Sequence, residues 1–317
     1  MNIKNARVAR CDPMLLDFVT WAVLQGCRLF QRIHTTRAGL VATEPIQAYD
    51  FVAVVPTTAT LSLLTVSDDL SFPLRVSPVN SGERLSFWSD LTFGSFVFVA
   101  YLARVLQTGR PRGIRSYLDV LPVDSEMPIG RVADAAQSTK DYKELVAPLR
   151  AVSRSGDVDF DVTFRHAYCL FRRHGVPFWT GSAVGGTGHP EFQYSPFVTA
   201  GKGDIIGMVP IVDLALHSPE PNATIGYPDR DMLQWLAQEK KASVKEDRGY
   251  FVMQALRDIR CGEMVTVDKN IFFNFSDDQF YAWFGFHNES QHPGDEGKAV
   301  GNTYVDSDHL INAYLPE

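Results

Sequence analysis

The spacing of apolar residues changes four times along the chain. Over 12–26 it is helical, with Leu15, Phe18, Val19, Ala22 and Val23 on one face, Asp12-Pro13 at the start and Gly26 at the end. An acidic N-cap, a proline in the first turn and a glycine stop predict a helix there. Alternation then takes over, and 28–33, 35–42, 46–56 and 60–64 read as strands. From about 90 to 175 the spacing returns to three and four. Phe93, Phe96, Val97, Ala100, Tyr101 and Val105 mark one helix ended near Gly109; 141–152 and 161–174 mark two more, the last stopped by Gly175. Past 204 the strands resume, in an apolar run to Pro210 and over 232–237 and 249–256, before a helix capped by Ser276 and carrying Phe280, Tyr281 and Phe284. The pattern is α+β in three segments: strand-rich 1–89, mainly helical 90–204 with a glycine-rich loop at 181–203, and strand-rich 205–317.

Composition narrows the function classes. With 317 residues and 45% hydrophobic content the chain has enough apolar surface for a real core, and disorder is excluded as a general description. A net charge of −7 argues against broad contact with nucleic-acid backbones and fits a basic protein partner better. The four cysteines, at 11, 27, 169 and 261, show neither pairing nor metal spacing, which predicts reduced thiols in an intracellular protein, with no metal. No apolar run is long enough to cross a bilayer, so a soluble protein is expected, cytoplasmic or nuclear. Lys4, Arg7 and Arg10, without an acid among them, leave mitochondrial import open. The glycine-rich loop lacks Gly-Lys-Ser/Thr and the strand-turn context of a phosphate cradle, and reads as a surface loop.

One polar constellation stands out. Val209-Pro210-Ile211-Val212-Asp213-Leu214-Ala215-Leu216-His217-Ser218 ends a strand in a tight turn. Alone, Asp-x-x-x-His reads as a structural histidine. Far along the chain, however, stand Arg257-Asp258-Ile259-Arg260-Cys261-Gly262-Glu263 and then Phe284-Gly285-Phe286, and near the N-terminus Phe18-x-x-Trp21 and Gly39-Leu40-x-Ala42. In that order these resemble the SET-domain branch that contains the RuBisCO large-subunit methyltransferase and the actin-histidine methyltransferase. Tyr117 to Pro122 is similar to that branch's Tyr-x-x-x-Leu-Pro.

The resemblance implies a SET fold of short β-sheets with a helical insert. It also implies that the family's separate C-terminal helical substrate-binding domain is missing, since the chain ends at Glu317 about where that domain would begin. It implies a cofactor, S-adenosylmethionine, and a protein substrate or partner. By position, Arg37, Gly39, Leu40, Arg173, Asp213, Leu216, His217 and Phe286 would line the cofactor. Several depart from the pattern. Arg37 replaces the first glycine of the Gly-Arg-Gly-Leu turn, and Leu216 replaces the asparagine before His217. A basic helix end is as good a reading of Arg173 as a cofactor contact. The catalytic tyrosine falls on Lys269 counting from Gly262-Glu263 and on Phe272 counting back from Phe284-Gly285-Phe286, so neither candidate is a tyrosine. Lys269 beside Asp268 reads as a surface ion pair, and Tyr281 as core. A SET-domain protein degenerate at these positions and acting as a protein-binding or scaffold subunit is therefore the leading expectation. An active S-adenosylmethionine-dependent lysine or histidine N-methyltransferase is the alternative, and a structural subunit of a large, even ribonucleoprotein, assembly is the third.

Overall fold

The computed structural model describes residues 12–29, 33–36, 38–76, 83–86, 88–123, 130–150, 159–178, 205–226, 228, 232, 234–236, 249–273, 275–284, 286–288 and 305–306. The glycine-rich loop, the charged stretch 239–248 and Arg37 lie outside them.

Helix α1 (Pro13–Leu24) starts as its sequence dictates, with Asp12 Oδ1 accepting the Met14 N–H at 3.0 Å. It lies against α4 (Arg112–Val120) through Trp21, whose ring covers Gly113. A Cβ at Gly113 would sit 2.1 Å from Trp21 Cδ1, so the two helices approach this closely only with glycine there. Helix α3 (Phe93–Thr108) is capped by the Thr92 hydroxyl and ended by Gly109 at φ 68°. Apolar on nearly every side, it runs through the middle of the molecule and meshes with α7 (Phe160–His174), as in the pairs Phe96–Phe164 (5.4 Å) and Phe98–Phe171 (5.9 Å). Two shorter helices, α5 (Gly130–Gln137) and α6 (Lys140–Arg150), lean on that pair. Tyr142 and Arg150 of α6 converge on Asp161 in the first turn of α7.

The main sheet has six strands in the order β1 (Arg28–Leu29), β4 (Phe51–Pro56), β11 (Tyr250–Ala255), β10 (Ala223–Gly226), β12 (Thr266–Val267) and β9 (Leu216–His217). Strand β12 is parallel to both its neighbours, so a late segment slots between two earlier ones. Asn222 holds that insertion. Buried at 1% exposure, its amide donates to Glu263 Oε1 (3.1 Å) and Met264 O (2.8 Å), and its Oδ1 accepts the Thr266 N–H (2.8 Å). Beside this sheet lie β2 (Ile33–Thr36), β3 (Gly39–Ala42) and β13 (Val305–Asp306), which form a second sheet, and the pairs β5 (Arg84–Leu85) with β6 (Trp88–Thr92) and β7 (Val176–Phe178) with β8 (Ile205–Gly207). One hydrophobic cluster contains Leu15, Phe98, Tyr168, Val209 and Phe251, so the helical stretch and both strand-rich stretches share a core.

Four expectations change. Residues 60–64 are not a strand: Leu61 makes one bridge to Met208, and α2 (Leu63–Asp68) begins where Thr65 Oγ1 accepts the Ser62 N–H. Residues 232 and 234–236 are helical, because Met232 and Leu236, four apart, both pack onto Phe51, Val54, Tyr250 and Val252. Tyr281, on α8 (Asp277–Phe284), is 38% exposed and stacks on His287 instead of filling the core. Lys269 is buried at 8% exposure, not paired at the surface.

Candidate functional site

The turn at Pro210–Val212 is strained. Ile211 has φ 70° and ψ −54°, and the Val212 N–H bonds back to Pro210 O at 2.8 Å, which is a γ-turn of the positive-φ kind. A β-branched residue in that region costs about 1–3 kcal/mol and persists only where its surroundings impose it. Asp213 imposes it here. Its Oδ2 accepts the Val209 N–H at 3.0 Å and the Tyr117 hydroxyl from α4, and its own N–H donates to Val209 O at 3.0 Å.

Around Asp213 lies a buried polar group. The 3-10 turn Lys269–Phe272 sends the Lys269 ammonium inward, where Nζ donates to the Arg173 carbonyl at 3.2 Å near the end of α7. Burial pulls the Lys269 ammonium below the usual lysine range, the Arg173 charge adds to this, and Asp213 opposes it. Burial pushes the Asp213 carboxyl up, against the pull of the Tyr117 hydroxyl and of Lys269. His174 holds Nδ1 3.1 Å from Asp213 O and Nε2 2.9 Å from Pro122 O. Burial, then Lys269 and Arg173, keep its pKa well below the ordinary value, so the ring is neutral and donates from one nitrogen only.

His217 is also neutral, with burial lowering its pKa most. The Lys269 N–H donates to its Nδ1 at 3.2 Å, which puts the ring proton on Nε2, and Nε2 donates to Asn288 Oδ1 at 3.0 Å. Phe280 and Phe286 pack on the ring at 4.8 and 5.7 Å, and the Arg173 guanidinium lies 5.4 Å from the centre of the Phe286 ring. Asp268 caps its own turn by accepting the Asn270 N–H at 2.8 Å, with Oδ1 3.8 Å from His217 Nδ1.

Gly39 opens β3 at φ 136°, close against the segment leading into β9. A Cβ on it would meet Met264 Cε at 2.8 Å, Leu214 O at 3.1 Å and Leu216 Cγ at 3.2 Å. Leu40 beside it is fully buried.

The fold thus brings Gly39, Leu40, Arg173, Asp213, Leu216, His217, Lys269 and Phe286 to one region. Arg37 lies outside the described residues; of Phe272 only the backbone is described. Sequence reasoning passed over three members. Tyr117 stands in the sequence only within the Tyr117 to Pro122 motif, and neither His174 nor Asn222 belongs to any motif quoted above. A polar residue flanked by strand patterns was the one available signal for Asn222.

Gly39 is bordered by Leu216 and Met264, neither of which offers a strong hydrogen bond, and by the Leu214 carbonyl.

No family model matches the chain, and no curated protein does. Solved structures do. A crystal structure of the SET domain of LSMT bound to lysine and AdoHcy aligns with TM-score 0.55 at 15% identity, over 87% of this chain and 57% of that one. Rubisco LSMT bound to sinefungin and monomethyllysine aligns with TM-score 0.50 at 15% identity, over 87% and 56%. The chain therefore has an α+β, SET-type fold, and spans a little over half the length of these neighbours.

Proposed function

We propose that this SET-fold protein is degenerate at its donor site and works by holding a protein partner, not by moving a methyl group. The observation that carries this reading is the crowding at Gly39, where the Leu216 and Met264 side chains stand beside the Leu214 carbonyl. The resemblance implies an asparagine in place of Leu216, and each polar donor atom left unmatched against a leucine loses about 1–3 kcal/mol. Lys269, at the position implied for the catalytic tyrosine, turns its amine to the Arg173 carbonyl and not outward to a substrate. The retained scaffold and an overall charge of −7 favour a basic protein surface as the partner. Titration calorimetry with S-adenosylmethionine tests this. No heat of binding is expected at millimolar donor; a micromolar Kd would overturn it.

One observation favours catalysis instead. Burial lowers the pKa of Lys269, and an amine shifted toward neutrality is a usable base. Methyl transfer from labelled donor into a cell extract, lost in Lys269→Met, would establish that alternative.

A further inference from the structure

A separate pocket lies on the helical side of the molecule, where the last turns of α3 meet residues 69–72 and the Arg110-Pro111 turn. It encloses about 710 Å³, within the range of cavities that hold small organic ligands. Phe72, Val105 and Pro111 give it an apolar wall, and Tyr101, Arg104 and Arg110 a polar one.

Tyr101 carries most of the weight. Its ring is fixed edge-on against Phe72, centroids 5.3 Å apart, and the residue is only 2% exposed. A buried phenol normally has a hydrogen-bond partner, yet among the described residues none bonds this hydroxyl, and the space its residue lines is the pocket. Burial, with Asp69 adding to it, pushes the Tyr101 pKa up to about 12, so the group stays a donor at neutral pH. The arginines are similarly uncommitted. Arg104 makes one long contact, 3.4 Å to Gln107 Oε1, and among the described residues neither Arg104 nor Arg110 is in an ion pair. The one acid on the wall, Asp69, already accepts the Ser71 N–H at 2.9 Å and hydroxyl at 2.6 Å. Two guanidinium groups and a phenol donor thus outweigh one half-used carboxylate.

We propose that this pocket binds a small organic anion, its phosphate or carboxylate held by Arg104, Arg110 and the Tyr101 hydroxyl, its apolar body against Phe72, Val105 and Pro111. The site stands whether or not the region around Gly39 takes a methyl donor. Calorimetry on the full chain with phenyl phosphate, benzoate and inorganic phosphate tests it. Saturable 1:1 binding of phenyl phosphate or benzoate is expected, the tighter of the two identifying the anionic group, with inorganic phosphate weaker than phenyl phosphate. Tyr101→Phe keeps the ring and should weaken binding about tenfold at unchanged melting temperature; Arg104→Gln with Arg110→Gln should weaken it about 100-fold. Absence of binding by both aromatic anions, equal binding of bare phosphate, or unchanged affinity in Tyr101→Phe would each overturn the proposal. So would a fall in melting temperature in Tyr101→Phe, because the hydroxyl would then have a partner within the protein.

Discussion

Asp213 is the residue on which the candidate site turns. It gathers a backbone N–H and a phenol from another element, and both hold a β-branched residue at positive φ. Removing the phenol with Tyr117→Phe leaves a buried carboxyl short of a donor and should destabilise the protein by about 1–3 kcal/mol in urea unfolding, with the packing of the ring retained. The histidines set the acid response. His174 and His217 both titrate below their ordinary value of 6.5 in the folded chain. Unfolding lets them take up protons they refuse when folded, so the stability these two rings contribute is full above pH 6.5 and is lost as pH falls from there toward their folded values, while the raised Asp213 carboxyl works in the opposite sense. Urea midpoints measured from pH 8 down to pH 5 should fall more steeply below about pH 6.5 in the parent protein than in His217→Gln. Parallel profiles for the parent protein and His217→Gln would count against a neutral His217 ring.

Among the elements, the end of α8 is tied to α7 chiefly through one arginine, with Phe171 of α7 also packing on Trp283 at 6.3 Å. Arg172, 3% exposed, donates Nε to Trp283 O at 3.0 Å and Nη2 to Ala282 O at 2.7 Å, lies 4.2 Å from the centre of the Trp283 ring and bonds the Tyr168 hydroxyl. Arg172→Ala should loosen the C-terminal end of α8 at about 2–5 kcal/mol, seen as loss of near-ultraviolet dichroism from Trp283. Gly113→Ala tests the α1–α4 approach. The added methyl meets the Trp21 ring, and about 1–3 kcal/mol of destabilisation is expected in thermal unfolding.

These elements also show what could be seen in the sequence. Helices α1, α3, α6, α7 and α8 were legible, because caps, glycine stops and helical spacing agree over many residues. So was the convergence of the β3 turn with the 209–218 segment, through ordered motifs rather than through any one of them. What stayed hidden depended on tertiary partners. The stretch 60–64 has strand-forming residues but is drawn into a helix by Thr65, and 232–236 alternates too weakly to show that Met232 and Leu236 share a face. Lys269 sits next to an acid in sequence, and only the fold shows that the acid caps its own turn while the amine goes inward.

On the scale of the whole molecule, one core joins all three stretches. Unfolding followed by far-ultraviolet dichroism and by tryptophan fluorescence should therefore give a single coincident transition; two separated midpoints would show that the helical stretch melts alone. Strand β12 adds a condition of timing. Residues 266–267 fill the gap between 216–217 and 223–226, so the sheet stays divided until they arrive. On the ribosome the first 226 residues can gather their helices yet still expose unfilled strand edges, to be guarded until the last fifth of the chain emerges. A protein assembled this way closes its own keystone late, and a chain cut short before Thr266 should be recovered bound to chaperones or in aggregates.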